Sequence, residues 1–111
     1  FCNKEEAISL VGENFVKDLN SLAVNYVVTN GAESSYVSEE GSYAEIKAKS
    51  VKAIDSNGAG DIFAGAALNK IIEGDSFFNA CEFGNYASSI IVQEKSPRLS
   101  IDQYKKLKAD Y

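Results

Sequence analysis

Apolar residues first gather at helical spacing. Ile8, Leu10 and Val11 start a stripe that Gly12 breaks, and Asn3 with Glu6 three places on has the spacing of a capping box at its head. Phe15, Val16, Leu19 and Leu22 predict a second helix over about residues 13–23. Asn25–Gly31 reads as a short strand ending in a turn, and the adjacent Val27 and Val28 suit a strand covered on both faces. Ser35–Ser38 and Tyr43–Lys47 flank Glu39-Glu40-Gly41-Ser42, which predicts a hairpin with its polar residues toward water, as an antiparallel edge. Val51–Ile54 leads into the stretch Asp55–Gly65, whose helix is expected to run from Asp61 to about Glu73 and to end at Gly74. Ala64, Gly65, Ala66 and Ala67 keep that helix slim, while Phe63, Leu68, Ile71 and Ile72 supply its bulk. Ser76 is the next cap. The helix after it, about 77–93, places Phe77, Ala80, Cys81, Gly84, Ala87, Ser88, Ile91 and Val92 on one face. Pro97 marks a loop, and Ser100–Gln103 is a second capping box opening a last helix over about 101–109, with Tyr104 and Leu107 inward.

Composition narrows the picture. With 111 residues, 45% hydrophobic and 24% charged, the chain fits one small globular domain without repeats or linkers. A net charge of -5 argues against nucleic acid as a partner, since that binding relies on Lys and Arg. No run of 18 apolar residues predicts a membrane span, and the first residues lack the basic and apolar regions of a signal peptide. The chain does not begin with Met, so it is expected to start inside a longer protein. Cys2 and Cys81 stand far apart and there is no His, which excludes a Cys/His zinc site and any mechanism with a His base. Both thiols are expected reduced, as in a cytoplasmic protein.

The chemistry concentrates around Gly58-Ala59-Gly60-Asp61. Glycines allow unusual backbone angles and close approach of another molecule. The helix that follows directs its free N–H groups and positive dipole end into the turn, which makes an anion site with phosphate as the usual occupant. A carboxylate at that rim repels phosphate, so Asp61 is better placed to take a proton from a hydroxyl that attacks it. The plainer reading stays open: a tight turn with an acidic residue favouring the dipole. The same holds for Asn3 and Glu6 as a mere cap, for Thr29-Asn30-Gly31 as a mere turn, and for Asn85 as a polar helix residue.

Asp55-Ser56-Asn57-Gly58-Ala59-Gly60-Asp61-Ile62-Phe63 resembles the D-T-x-G-A-G-D-x-F signature of the ribokinase-like (PfkB-type) carbohydrate and nucleoside kinases, with Ser56 keeping the usual hydroxyl. Asn3 and Glu6 are similar to the family's N-x-x-E motif, Thr29–Glu33 to its V-T-x-G-A-E segment, and Ser96-Pro97-Arg98-Leu99 to its G-x-R-L-type loop, with Ser96 in place of Gly. The resemblance runs from Asn3 to the last helix and implies the C-terminal part of a ribokinase-like three-layer α/β/α, Rossmann-like sheet with a β-hairpin. It implies ATP-dependent phosphotransfer to a sugar or nucleoside hydroxyl. Asp61 would be the base, and Gly58, Ala59 and Gly60 the anion hole. Asn3 and Glu6 would organise Mg2+ and phosphate, while Thr29, Gly31, Glu33 and Asn85 would flank the nucleotide. Asp55, Asn57, Ser96 and Ser100 would hold a K+-like cation. The family's sugar-binding residues lie mainly in an N-terminal half outside this sequence. The piece alone is therefore expected to be inactive and to self-associate. Two other readings stand beside this one: a regulatory nucleotide-binding module without catalysis, and a structural domain with incidental glycine turns.

Overall fold

Asn3 turns the chain from strand into helix. Its side chain accepts a hydrogen bond from the Glu6 backbone at 2.8 Å, and the Glu6 carboxylate accepts from the Asn3 backbone at 2.9 Å. This is the predicted capping box. The structure, a computed structural model, describes residues 1–31, 34–47, 59–91 and 101–111. In order they form β1 (Cys2–Asn3), α1 (Lys4–Val11), α2 (Phe15–Asp18) running into a 3-10 turn (Leu19–Ser21), β2 (Asn25–Thr29), β3 (Ser35–Glu39), β4 (Ser42–Ile46), α3 (Ala59–Ile72), α4 (Phe77–Ile91) and α5 (Ile101–Asp110). Gly12 closes α1 in the left-handed region, at φ 90°.

The second predicted helix is shorter than its apolar spacing suggests. Phe15 and Leu19 are buried, but Leu22 is exposed and α2 tightens after four residues. Ser21 donates from Oγ to the Asp18 carbonyl at 2.8 Å, a local bond that competes with continuation of the helix, and Asn14 offers no side-chain cap.

The sheet has the order β1-β2-β3-β4. β1 runs parallel to β2, with Cys2 opposite Val28 and Asn3 opposite Thr29, while β2–β3 and β3–β4 are antiparallel. Glu40 and Gly41 make the hairpin turn, both with positive φ, the geometry that matches strand twist. Among the described residues β4 is the outermost strand, with the polar pattern that the alternation predicts. β3 differs, because Ser35 and Ser38 are buried. Ser38 is satisfied there by donating to Asn20 Oδ1 at 3.2 Å.

Successive residues of β2 point to opposite faces. Tyr26 and Val28 join Ala7, Phe15 and Leu19 on one side, and Val27 joins Val37, Ile46, Phe63 and Cys81 on the other. Helices therefore cover both faces, and the three-layer α/β/α arrangement is present. A third cluster, Ala66, Phe83, Ala87 and Leu107, ties α5 to α3 and α4. Asn69 secures it, accepting from the Tyr104 hydroxyl at 2.9 Å and from Lys108 at 3.2 Å. Because α4 packs against the sheet through Cys81 and against α3 and α5 through Phe83, its buried arc is wider than the predicted stripe, which omitted Phe83. On α3 the predicted bulk divides: Phe63 is buried, but Leu68 and Ile72 face outward. Both cysteines are free thiols, and Cys81 is buried. No helix among the described residues is long and apolar enough to cross a membrane.

Candidate active site

The parallel pairing of β1 with β2 brings two of the sequence motifs together. Asn3 is directly opposite Thr29, so Asn3, Glu6 and the Thr29–Gly31 turn share the carboxyl edge of the sheet, where open α/β sheets receive ligands. Asn3, Glu6 and Gly31 are exposed, and Thr29 is half-buried with its hydroxyl 3.5 Å from the Cys2 carbonyl. Gly31 has φ 57°, and a Cβ there would meet nothing within 4 Å. The turn thus needs glycine for its backbone angle and leaves open space above it. Glu6 spends one carboxylate oxygen on the cap, so capping and an outward-facing charge coexist in one residue.

α3 begins at Ala59, which puts Asp61 in its first turn, exposed, with Gly60 exposed beside it. Gly60 does not use the unusual backbone angle expected of it: it is helical and its φ is not positive. A Cβ on Gly60 would meet nothing within 4 Å, so what glycine keeps here is an uncovered backbone. Phe63, two residues on, seats this turn on the sheet beside Val27 and Val37. α4 crosses α3 there at close range: a Cβ on Gly84 would lie 2.7 Å from the Phe63 carbonyl oxygen.

Asn85, the neighbour of Gly84, donates from Nδ2 to the Lys47 carbonyl at 3.3 Å. It lines a cavity of about 340 Å³ between β4 and α4. Sequence reasoning missed the roles of three other residues, of which the first lines the cavity. Tyr111 reaches this cavity from beyond α5, and its ring lies 5.0 Å from Phe83 and 5.1 Å from Tyr86. Burial, then the Glu82 and Asp75 carboxylates, push its phenol above the ordinary range. Glu39 on β3 accepts hydrogen bonds from the Phe77 and Phe78 backbone at 2.7 and 3.4 Å, capping α4 from the sheet. Gly84 is the third. None carries a local sequence signal, because each acts on a residue at least 21 positions away or on a neighbouring helix. Gly58, Glu33, Asp55, Asn57, Ser96 and Ser100 lie outside the described residues. Among the described residues, no group of three or more Cys, Asp or Glu converges to hold a metal ion.

The model of the pfkB family of carbohydrate kinases matches residues 1–103. A ribokinase from Haemophilus influenzae is 39% identical over 75 residues, which cover 68% of this chain and 24% of that protein. The structure of adenosine kinase from Sinorhizobium meliloti superposes with a TM-score of 0.86 at 23% identity, over 100% of this chain and 36% of that one. Arabidopsis thaliana ribokinase complexed with ribose and ATP superposes with a TM-score of 0.78 at 23% identity, over 95% of this chain and 38% of that one. The chain thus spans well under half the length of each.

Proposed function

Because the chain belongs to the pfkB family of carbohydrate kinases, we propose that it serves ATP-dependent phosphoryl transfer to a hydroxyl of a sugar or nucleoside, as the nucleotide-handling part of the site. The observation that carries the reading is Asp61 in the first turn of α3, beside the uncovered backbone of Gly60. Asp61 takes the proton from the acceptor hydroxyl as its oxygen attacks the γ-phosphorus and the bond to the ADP oxygen breaks. Backbone N–H groups of Gly58, Ala59 and Gly60 hold the charge growing on the transferred group. Thr29, Gly31, Glu33 and Asn85 flank the nucleotide. The outward carboxylate of Glu6 and the amide of Asn3 are hard oxygen donors, which suits Mg2+, an ion that keeps several of its waters. Bound there, Mg2+ would neutralise phosphate charge. Asp55, Asn57, Ser96 and Ser100 are the proposed K+ ligands.

Most of the length of the relatives falls outside the match, which supports a second proposal: this chain alone binds nucleotide but does not turn over. Calorimetry with Mg·ATP and phosphate transfer to ribose, fructose and adenosine test both. Asp61→Asn is expected to keep ATP affinity within a few-fold. In a chain that does transfer phosphate, it is expected to slow transfer roughly 10²–10⁴-fold. Unchanged transfer in Asp61→Asn would remove Asp61 from the base role.

A further inference from the structure

The hairpin borders a second cavity, of about 190 Å³, on its α2 side. A cavity of about 150 Å³ holds one benzene, so this one has room for a group of similar size. Strand register explains its walls. Tyr36 is paired with Glu45, and Tyr43 stands two residues before Glu45, so the three side chains leave the same face of neighbouring strands. Val16 of α2, with Val37 and Ala44, completes the lining.

Neighbouring groups hold these walls in place. Asn20 donates from Nδ2 to the Tyr43 hydroxyl and accepts from the buried Ser38 at 3.2 Å. The Tyr36 and Phe15 rings meet edge to face with centroids 5.8 Å apart. The Tyr26 hydroxyl donates to the Val16 carbonyl. Tyr43 is nevertheless 49% exposed. A ring that is anchored at its hydroxyl and still open to solvent is preorganised for a ligand. Aromatic faces are electron-rich, and the exposed Glu45 adds a full negative charge. Among the described residues no Lys or Arg forms an ion pair with Glu45. An anion is repelled here, and a neutral apolar group gains nothing from the carboxylate. A cation with apolar substituents gains from the rings, the carboxylate and the apolar lining together.

We propose that this cavity binds a small organic cation of the alkylammonium class, with its charged head against the Tyr36 and Tyr43 rings and beside the Glu45 carboxylate. Tyr36 packs on the α1–α2 side of the sheet, while Phe63 of α3 and Cys81 of α4 cover the other, so the site stands apart from Asp61 and does not depend on the phosphoryl-transfer reading.

NMR titration of the tyrosine ring signals tests this, with assignments from single Tyr→Phe variants. The probes are choline and the neutral alcohol in which carbon replaces its nitrogen, which match in shape and differ in charge. Choline is expected to shift the Tyr36 and Tyr43 signals and to bind about fivefold or more tighter than the alcohol. Tyr43→Leu keeps an apolar wall without a ring face, so it is expected to weaken choline about fivefold and leave the alcohol unchanged. Glu45→Gln, an exposed substitution that leaves the packing alone, is expected to bring the two affinities together. The wild-type comparison decides without any variant. Equal affinity for the two probes, or no choline-dependent shift of Tyr36 and Tyr43, overturns the proposal. Displacement of choline by an equal concentration of KCl also overturns it, since the site would then answer to charge alone.

Discussion

Gly84 decides how closely α3 and α4 approach. Any Cβ there meets the Phe63 carbonyl at 2.7 Å and the Phe63 ring at 3.2 Å, and a backbone carbonyl cannot rotate away as a side chain does. Gly84→Val gains a little helix propensity, but overpacking outweighs it, so a net loss of about 1–3 kcal/mol is expected. Urea unfolding measures it, and an unchanged midpoint would mean that the two helices separate freely. The displaced part of α3 lies two residues from Asp61, so this packing position and the candidate base are linked through one turn of helix.

At the scale of elements, Glu39 ties the hairpin to α4. Its carboxylate accepts from two of the N–H groups that a helix start leaves without partners, and it does so at the positive end of the helix dipole. Ser76 adds a local cap, accepting from the Asn79 backbone at 3.2 Å. Glu39→Ala is expected to lower stability by about 1–2 kcal/mol, the range of helix caps, and Glu39→Gln by less because its amide oxygen still accepts. Denaturant midpoints of the three forms give the comparison, and the order wild type, Gln, Ala is the expected one. The cavity between β4 and α4 opens against the same hairpin, so loosening Glu39 is also expected to weaken whatever binds beside Asn85.

For the whole molecule, alkaline pH is the informative variable. Burial pushes the Cys81 thiol up to about 12 from 9.0, and burial with Tyr43 nearby pushes the Tyr26 phenol up to about 12 from 10.0. Between those values the unfolded chain has lost protons that the native chain keeps. Stability contributed by these groups is therefore complete below pH 9 and is lost as pH rises from 9 toward 12. Urea titrations between pH 8 and 11 are expected to show the decline, with a shallower slope in Cys81→Ala; a flat profile in the wild type would contradict it. The surface makes a second prediction. Leu68 and Ile72 lie on the outer side of α3, at 47% and 83% exposure, and Ile101 is 75% exposed. Light scattering is expected to show concentration-dependent self-association that Ile72→Glu reduces. Monodisperse monomers at all concentrations would refute it.

Local chemistry was enough for much of this. The Asn3–Glu6 capping box, the stops at Gly12 and Gly74, the Glu40-Gly41 hairpin turn, the strand at Val27-Val28 and the start of α3 near Asp61 each depend on residues a few positions apart, so they are readable in one dimension. The motif around Asp61 also placed the family, because its spacing is long enough to be specific. Which angle Gly60 takes is not among these, since a helical and a left-handed glycine look the same in a sequence. The rest arises from contacts between distant residues. Periodicity gave α4 one buried stripe, but the sheet and two helices bury it from several sides, which is why Phe83 is inside. The same packing leaves Ile72 outside, although its side chain is as apolar as those within. Register placed Asn3 opposite Thr29, and only the folded chain brings Tyr111 beside Asn85 or Glu39 to the head of α4. Sequence by itself determined the elements and the family, because those follow from local propensity and motif spacing. Tertiary structure alone decided which faces are covered and which side chains meet, because burial is a property of neighbours that the chain supplies from far away.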